Sequence, residues 1–274
     1  MKKYFGTDGI RRVANTDLSP ELVFKVAKAG AYVLSKHKDN MPTILIGRDT
    51  RISGTLIESA MNAGFLSYGA NVINLGVIPT PAVAYLTKKL NADTSVVISA
   101  SHNTFEFNGI KYFSNKGMKI DDSLEEEIED IIDSSKINEL IAINEKIGVA
   151  KNGEYLVAEY IDFIVDTFKS SILKNVKDDF KVLIDTANGA TYKIADEIFT
   201  KLNIPHYVIN NTPDGININK NCGSTHLDML KEQVVEKGYT LGIAYDGDGD
   251  RCLVIDSSGR VIDGDILLAI FSSY

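Results

Sequence analysis

Three aspartates, each separated from the next by one glycine, are the strongest chemical signal in the sequence. They lie in Asp246–Arg251, which reads DGDGDR and follows directly on the apolar, strand-like segment Leu241–Tyr245. The glycines let the backbone curl so that all three carboxylates face one point, and a divalent cation there offsets their repulsion. An all-oxygen donor set favours Mg²⁺, Mn²⁺ or Ca²⁺ over Zn²⁺. We therefore predict Asp246, Asp248 and Asp250 as metal ligands, against the alternative of a solvated acidic turn.

This aspartate segment is not a complete calcium loop of the EF-hand type. Such a loop needs glycine at its sixth position and glutamate at its twelfth, where this sequence has Arg251 and Ser257. The place of the segment still fits a ligand site, because open α/β sheets bind ligands at the carboxyl ends of their strands.

Ser101 is the second candidate, because it follows a predicted buried strand, Thr94–Ser99, and precedes His102 and Asn103. A serine is a weak nucleophile without a base or a metal, and the G-x-S-x-G motif of hydrolases is absent here. A phosphoryl group on Ser101 would bring a charge of about −1.5 to −2 and three acceptor oxygens. One of them would complete the coordination of a cation held by only three aspartates, so the two loops predict one site across a domain cleft. Taken alone, Ser101 is more typical of a turn or a helix cap.

Three further segments carry weaker signals, each with an ordinary alternative. Asn108–Lys111 reads as a turn and then a strand whose lysine passes the serine loop, although a lysine after a turn is usually solvated. Gly6–Arg11 is glycine-rich and ends in an arginine, which usually pairs at the surface. In Gly47–Arg51, the neighbouring Arg48 and Asp49 could form a structural ion pair as easily as a phosphate site.

The elements that must position these residues alternate between strand and helix. Strands are predicted from apolar β-branched runs, and helices from apolar residues at helical spacing. The predicted strands are Thr43–Gly47, Asn71–Leu75, Thr94–Ser99, Val182–Asp185, Pro205–Ile209 and Leu241–Tyr245, with a hairpin over Cys252–Ile262. The predicted helices include Ser53–Tyr68, Thr80–Leu90, Ala190–Lys201 and Thr225–Lys237, and an earlier one that begins at the Ser19-Pro20 pair. This alternation predicts two successive three-layer α/β/α domains with mixed, mostly parallel sheets.

The polar, weakly patterned stretch Ser134–Gly153 marks the predicted domain boundary. We expect residues 1–153 to form the first domain, 154–256 the second, and 257–274 the truncated start of a third. The last residues begin an apolar helical pattern that stops abruptly, so we expect a chain cut short of its natural end.

Composition limits the classes of function. The 274 residues are 44% hydrophobic and carry a formal net charge of −8, which suits folded domains and argues against general nucleic-acid binding. A local cluster of basic groups still allows an anionic substrate. The two cysteines, Cys222 and Cys252, have no zinc-like spacing, and no apolar run is long enough to span a membrane. Because no export signal follows Lys2 and Lys3, we expect a cytoplasmic protein with reduced thiols.

Taken together, these motifs resemble those of the α-D-phosphohexomutase family. The resemblance runs through the chain in order, over Phe5–Arg11, Gly47–Arg51, Pro79–Pro81, Ser99–Asn103, Asn108–Lys111 and Asp246–Arg251. Within the family, the opening Tyr4–Arg11 and the segments Pro213–Asn219 and Asn221–His226 look most like the branch that acts on aminosugar phosphates. The chain would then be the N-terminal two-domain portion of such an enzyme.

The resemblance implies phosphoryl transfer through a phosphorylated Ser101. Its phosphoryl group passes to the sugar, the resulting bisphosphate turns over in the cleft, and the other phosphate returns to the serine. Glucosamine 6-phosphate thereby becomes glucosamine 1-phosphate, on the route to UDP-N-acetylglucosamine and the cell wall. The implied cofactors are one Mg²⁺ per site, held by Asp246, Asp248, Asp250 and an oxygen of the Ser101 phosphate, and a hexosamine 1,6-bisphosphate as intermediate and activator.

The resemblance also assigns the remaining site residues and the partners. Arg11 and Lys111 would assist proton transfer to the serine and sugar oxygens, and His102 joins them as a catalytic residue. Residues implied in binding substrate or phosphate are Asn103, Arg251, Thr7 and Gly109. The implied partner is a small aminosugar phosphate, with a homodimer as the assembly of the full-length protein and with neither nucleic acid nor membrane.

The sequence departs from the family pattern at two positions and in length. Thr104 stands where the family usually has proline, and Arg12 stands where it usually has glycine, but neither change removes a reacting group. The family has four domains, and this chain would lack the sugar-recognition loop of the third and the phosphate-clamping loop of the fourth. We therefore expect weak Mg²⁺ binding and little or no mutase turnover from the chain alone.

Three alternatives remain open at the level of sequence. A phosphatase with an aspartyl nucleophile is suggested by the acidic loop, but its D-x-D-G-T pattern is absent because Arg251 follows Asp250. A non-catalytic module stabilised by Ca²⁺ is the second alternative. The third is a sister mutase acting on glucose or mannose phosphates, since sugar choice depends on a domain outside this sequence.

Overall fold

The computed structural model describes residues 3–35, 40–168 and 179–273. Contacts between residues divide the chain into two compact units. The first unit contains Met1–Ala100 and Phe105–Val157, and the second contains Ser101–Thr104 and Ala158–Tyr274. The short segment Ser101–Thr104 therefore belongs to the second unit, although the chain on both sides of it belongs to the first.

The first unit is built on a six-stranded sheet. In chain order its main elements are β1 (Ile10–Val13), α1 (Pro20–Ser35), β2 (Thr43–Arg48), α2 (Gly54–Tyr68), β3 (Asn71–Val77), α3 (Thr80–Lys89), β4 (Thr94–Ile98), β5 (Phe107–Ser114), α4 (Asp122–Asp133) and β6 (Ala150–Asn152). The order across the sheet is β1-β5-β4-β2-β3-β6. Strands β4, β2, β3 and β6 run parallel, and β5 pairs antiparallel with both β4 and β1.

Helix ends in this unit follow from local sequence. The hydroxyl of Ser19 accepts a hydrogen bond from the backbone N–H of Leu22 at 3.3 Å, and Pro20 occupies the first helical position of α1. Helix α2 ends at Gly69, whose φ of 105° lets its N–H reach the carbonyls of Phe65 and Leu66. The predicted start of α1 is confirmed, and the predicted bounds of α2 are confirmed to within one residue.

The sheet of the first unit has helices on both faces. Ile44 and Ile46 of β2 belong to the apolar cluster that α1, α2 and α4 complete. On the opposite face, a Cβ built at Gly47 would lie 2.5 Å from the side chain of Val83 in α3, so only glycine lets this helix approach so closely. Strands covered on both faces are apolar at nearly every position, which explains why β2 and β4 were predictable as continuous apolar runs.

The second unit repeats the layered plan with five strands. Its elements are α5 (Val157–Thr167), which begins at the last residue of the first unit, β7 (Val182–Asp185), α6 (Ile194–Lys201), β8 (His206–Ile209), α7 (Asp228–Glu236), β9 (Leu241–Tyr245), β10 (Cys252–Asp256), β11 (Val261–Ile262) and α8 (Gly264–Ser272). The order is β11-β10-β9-β7-β8, with β9, β7 and β8 parallel and the β9–β10–β11 pairings antiparallel.

Consecutive residues of β7 belong to two different apolar clusters. Leu183 packs with Leu230 and Val234 of α7, whereas Ile184 packs with Ala195 of α6. The sheet of this unit therefore also lies between helices, and the predicted class of two successive α/β/α domains with mixed sheets is confirmed.

Two predicted helix starts are wrong. Helix α6 begins at Ile194 rather than at Ala190, whose backbone N–H donates to the carbonyl of Gly247. The other is the predicted start at Thr225. Thr225 closes a short 3₁₀ turn, Gly223–Thr225, and α7 begins only at Asp228. The reason is His226, whose φ of −138° and ψ of 80° are not helical and separate the two elements.

Among the described helices, none has both the length and the hydropathy that crossing a bilayer requires. The division of the chain into residues 1–153, 154–256 and 257–274 stays a prediction.

Candidate functional site

The three aspartates lie in the tight connection between the antiparallel strands β9 and β10. One carboxylate oxygen from each of Asp246, Asp248 and Asp250 lies within 4.8 Å of the others. Asp246 and Asp248 are fully buried, and Asp250 is the most exposed of the three. Gly249 has a φ of 67°, the left-handed conformation that turns the chain between them. The sequence thus places three carboxylates together at the carboxyl end of a strand.

Two hydrogen bonds anchor the carboxylate of Asp246. Its Oδ2 accepts a hydrogen bond from the hydroxyl of Ser101 at 2.6 Å, and its Oδ1 accepts one from the backbone N–H of Arg251 at 3.1 Å. Burial, followed by the charge of Asp248, raises the pKa of Asp246 well above its ordinary value, while the Ser101 hydrogen bond opposes the increase. The loop therefore holds negative charge at an energetic cost that a bound cation would remove.

The donor set fits a hard divalent cation. Three carboxylates offer oxygen ligands only, and their oxygens already lie close enough together to share one ion. Mg²⁺ usually takes one or two carboxylates together with phosphate oxygens and water, so this set leaves room for a phosphate. Arg251, the last residue of the motif, is half exposed, with its Nε 4.0 Å from Asp250.

Ser101 is held in an unusual backbone conformation beside this loop. It lies three residues after the end of β4, its φ is 53°, and only 1% of its surface is exposed. Positive φ in a residue other than glycine costs about 1–2 kcal/mol, so surrounding contacts must hold it. The next two residues, His102 and Asn103, are partly exposed in the same turn. The structure thus brings Ser101 and the three aspartates together within the second unit.

The turn after β7 supports the aspartate loop from the adjacent strand. Ala190 donates its N–H to the carbonyl of Gly247 at 2.8 Å, and a Cβ on Gly189 would lie 2.4 Å from the same oxygen. Asp185, at the end of β7, accepts hydrogen bonds from the N–H groups of Ala187 and Gly223 at 2.9 and 2.8 Å. Burial raises the pKa of Asp185, and these bonds oppose the increase.

Sequence reasoning missed one residue of this site. Asn219 is 97% buried, and its side-chain amide contacts the Ser101 turn. The segment that contains it was singled out only for its family resemblance. Its contact with Ser101 joins residues 118 positions apart, which no local pattern reveals.

The remaining predicted residues lie in the first unit, around Asp8. The Oδ2 of Asp8 lies 3.1 Å from Nζ of Lys111 and 3.4 Å from Nη2 of Arg11, so one carboxylate pairs with both cations. Thr7 offers its carbonyl to Lys119. Lys111 is buried, as expected for a lysine with a specific partner rather than a solvated one.

Gly109 lies inside β5, between β1 and β4, so the turn predicted at the start of Asn108–Lys111 is wrong: Asn108 and Gly109 pair with β1 as strand residues. A Cβ on Gly109 would approach the carbonyl oxygens of Ser99 and Ile10 to 2.5 and 2.6 Å. This position therefore requires glycine for the close approach of the neighbouring strands, independently of the predicted role of Gly109 in binding substrate or phosphate.

The open question in Gly47–Arg51 has a structural answer. Arg48 forms an ion pair with Glu58 at 3.1 Å, and it contacts the adjacent Asp49 at the backbone carbonyl, 3.5 Å away. Asp49 pairs instead with Arg51 at 2.8 Å, and both side chains are fully buried.

The fold and the site together define a class: a protein of successive α/β/α units with an aspartate triad and a serine at strand ends. Family models make the class specific. The model "Phosphoglucomutase/phosphomannomutase, alpha/beta/alpha domain I" matches residues 2–139, and the domain II model of the same family matches residues 158–259. Because these matches cover most of the chain, the protein belongs to the phosphoglucomutase/phosphomannomutase family.

Individual proteins that are similar to this chain give a more specific comparison than the family models. A phosphoglucosamine mutase of Clostridium kluyveri is 51% identical over 276 residues, which cover all of this chain and 60% of that protein. The chain thus spans about 60% of the length of the curated relatives it matches. A phosphoglucomutase/phosphomannomutase family protein from Burkholderia thailandensis has a TM-score of 0.83 at 22% identity, covering 99% of this chain and 58% of that one. An N-acetylphosphoglucosamine mutase from Aspergillus fumigatus, solved with GlcNAc-6P and magnesium, has a TM-score of 0.57 at 16% identity, covering 97% and 53%. At these identities, the two structures show the shared fold alone.

Proposed function

We propose that this chain carries the phosphoserine turn and the metal loop of a phosphoglucosamine mutase, which interconverts glucosamine 6-phosphate and glucosamine 1-phosphate. The observation that carries the proposal is the 2.6 Å hydrogen bond from the Ser101 hydroxyl to Asp246, in a loop where three carboxylates converge. The 51% identity to a phosphoglucosamine mutase supports the choice of sugar.

The proposed reaction is two phosphoryl transfers in opposite directions. In the first, the bond from phosphorus to the Ser101 oxygen breaks, phosphorus bonds to a free sugar hydroxyl, and the hydroxyl proton passes to the serine oxygen. The sugar then holds two phosphates and turns over. In the second, the bond from the original phosphorus to its sugar oxygen breaks, that phosphorus bonds to the Ser101 oxygen, and the serine hydroxyl proton passes to the sugar oxygen. Such transfers depend on positioning and charge neutralisation more than on covalent chemistry.

Asp246, Asp248 and Asp250 would hold Mg²⁺ together with an oxygen of the Ser101 phosphate. The ion would supply neutralisation of phosphate charge when bound. The chain itself supplies the shape of the site: a strained serine turn facing the carboxylates, and buried surroundings that limit access of water. Because the serine hydroxyl already bonds a carboxylate, a phosphate there needs a cation to offset like charges.

The other assigned roles stay predictions. They concern proton transfer by Arg11 and Lys111, catalysis by His102, and binding of substrate or phosphate by Asn103, Arg251, Thr7 and Gly109. Also predicted only are the bisphosphate activator, the homodimer, the absence of nucleic-acid and membrane partners, the cytoplasmic location and low turnover by this chain alone. The glucose- or mannose-phosphate mutase remains the alternative, to be separated by comparing the sugar bisphosphates as phosphoryl donors.

Intact-mass measurement tests the proposal. The chain is incubated with glucosamine 1,6-bisphosphate and Mg²⁺, and we expect one added phosphoryl group that survives acid. Ser101→Ala should gain none, and omission of Mg²⁺ should slow the gain. An acid-labile group on an aspartate would instead support a phosphatase, and Ca²⁺ binding far tighter than Mg²⁺ without any phosphoserine would support the non-catalytic module.

A further inference from the structure

Asn219 occupies a restricted position in the second unit. Its φ is 57°, a left-handed conformation that asparagine tolerates better than most residues, and only 3% of its surface is exposed. Its backbone N–H donates to the carbonyl of Ala187 at 2.9 Å, which ties it to the turn after β7. The side chain therefore projects from a fixed backbone.

The side-chain amide of Asn219 makes two hydrogen bonds to one turn. Its Nδ2 lies 2.9 Å from the carbonyl oxygen of Ser101 and 2.9 Å from that of Asn103. Carbonyl oxygens only accept, so the nitrogen rather than the oxygen of the amide must face them, and both of its protons are used. One side chain thus binds the backbone on both sides of His102.

The aspartate loop packs against the contact between Asn219 and the Ser101 turn. A Cβ on Gly247 would lie 2.6 Å from the Ser101 carbonyl and 2.8 Å from Nδ2 of Asn219, so the loop backbone packs directly against both. The same serine donates its hydroxyl to Asp246. The amide, the serine turn and the aspartate loop therefore form one packed arrangement.

We infer that Asn219 is a positioning residue, which holds the Ser101 turn in its left-handed conformation so that the serine oxygen faces the three carboxylates. The inference rests on the proposed function. The amide of Asn219 binds the carbonyls of Ser101 and Asn103, so it acts on the serine oxygen through the backbone of the turn. An aspartate at the same place would put a carboxylate oxygen against two carbonyl oxygens, whereas a glycine would keep the backbone and lose both bonds.

Asn221 provides a matched control. Its φ is 56°, nearly that of Asn219, and it lies two residues further along the same segment. It is exposed, however, and no hydrogen bond joins its side chain to the serine turn within the described residues. Comparing Asn219→Gly with Asn221→Gly therefore separates loss of the amide from loss of a left-handed asparagine, and Asn219→Asp restores the volume of the side chain without its donors.

The first test needs no metal. Hydrogen exchange of the peptide that covers 99–107 is measured by mass spectrometry on the full chain. We expect exchange to become about tenfold faster or more in Asn219→Gly and Asn219→Asp, since each lost bond contributes a factor of about five, and to stay unchanged in Asn221→Gly. Equal exchange in wild type and both Asn219 variants would overturn the inference.

The second test measures how strongly phosphorylation of Ser101 changes the affinity for Mg²⁺. Mg²⁺ affinity is determined by calorimetry with and without phosphoserine at position 101, introduced during translation. We expect phosphorylation to tighten Mg²⁺ binding in wild type and Asn221→Gly, and to lose most of that gain in the Asn219 variants. If Asn219→Asp and Asn219→Gly keep the whole gain, the inference is wrong and the proposed function stands. If wild type shows no gain, the proposed function fails, and the inference with it.

Discussion

Nε of Arg51 lies 2.8 Å from Oδ2 of Asp49, and neither side chain is exposed to solvent. The same carboxylate oxygen accepts the hydroxyl of Ser99 at 2.6 Å, and Nη1 of the arginine donates to the carbonyl of Phe107 at 3.1 Å. The pair therefore joins the carboxyl ends of β2 and β4 to the start of β5. Removing one partner of a buried ion pair leaves an uncompensated charge. The resulting loss of stability is larger than the net stability that the intact pair contributes.

We predict that Arg51→Met lowers the free energy of unfolding by about 3–5 kcal/mol, because Asp49 would stay buried without its cation. Arg48→Met is the matched control, since Arg48 pairs with Glu58 where both side chains are partly exposed, and its loss should cost about 1 kcal/mol or less. Urea denaturation followed by circular dichroism measures both. Equal losses in the two variants would contradict the assignment of Arg51 as the buried structural cation.

A second prediction concerns Glu129 in α4, whose carboxylate accepts three consecutive backbone N–H groups. Lys3, Tyr4 and Phe5 donate to it at 2.6–2.7 Å. We expect Glu129→Ala to cost about 2–3 kcal/mol, because hydrogen bonds to a charged acceptor are strong and three donors lose their partner together. Urea denaturation gives the cost, and hydrogen exchange at the N-terminal segment should speed up.

Asp133, one turn further along the same helix, serves as the control. It binds Nζ of Lys3 and the hydroxyl of Tyr4 at the surface, and these contacts lower its pKa. Because the folded pKa is lowered, its contribution is present above the unfolded pKa of 3.8 and is lost as pH falls through the folded value. At neutral pH that contribution is present but small, because the Asp133 side chain is 47% exposed, so Asp133→Ala should cost less than Glu129→Ala. The reverse order would show that Glu129 is not the main anchor.

The sequence predicted those parts of the fold that depend on local pattern. Val182–Asp185 and Leu241–Tyr245 were predicted to the residue, because strands buried between helices must be apolar and short. The partners of individual side chains were harder to predict from the sequence. Sequence proximity suggested Arg48 for Asp49, yet Arg48 is the last residue of β2, while Asp49 and Arg51 lie in the loop after it and pair with each other.

The candidate site shows the same division. The spacing alone predicted three carboxylates in one loop, because the glycines between the aspartates favour a tight turn of the backbone. The amide of Asn219 could not be predicted, because its bonds to the serine turn depend on how a long loop after β8 returns to β7. Such contacts require the tertiary path of the chain.

The third prediction contrasts two glycines. Gly247 has no positive φ, but a Cβ there would lie 2.6 Å from the carbonyl oxygen of Ser101; Gly238 has a φ of 63° and open space around it. We expect Gly247→Ala to cost about 1–3 kcal/mol through steric overlap and to slow phosphorylation of Ser101. Gly238→Ala should cost about 1 kcal/mol through backbone strain alone and leave phosphorylation unchanged. Thermal unfolding and intact mass measure the two effects, and normal phosphorylation of Gly247→Ala would contradict the packing argument.

The last prediction is that the aspartate loop is destabilising without a cation. Its three carboxylate oxygens lie within 4.8 Å of one another, and two of the side chains are fully buried. Like charges at about 4 Å repel by roughly 1 kcal/mol in water and about 4 kcal/mol near a protein surface, so removing one charge should stabilise the fold. We expect Asp248→Asn to unfold at a higher temperature than wild type in EDTA, by about 2–4 °C for each kcal/mol of repulsion removed.

Added Mg²⁺ should reverse the order of Asp248→Asn and wild type. Wild type should gain stability as the ion binds the folded state, while the variant, with one ligand charge lost, should gain little. Asp256→Asn is the control, because Asp256 lies outside the cluster and its carboxylate accepts hydrogen bonds from Ser258 and Arg260, which hold its pKa below the ordinary value. Neutralising it should lower the unfolding temperature and leave the response to Mg²⁺ intact. Differential scanning fluorimetry over a Mg²⁺ series decides the matter: an Asp248→Asn variant less stable than wild type in EDTA would mean that the loop is held by its own hydrogen bonds and carries no repulsion for a cation to relieve.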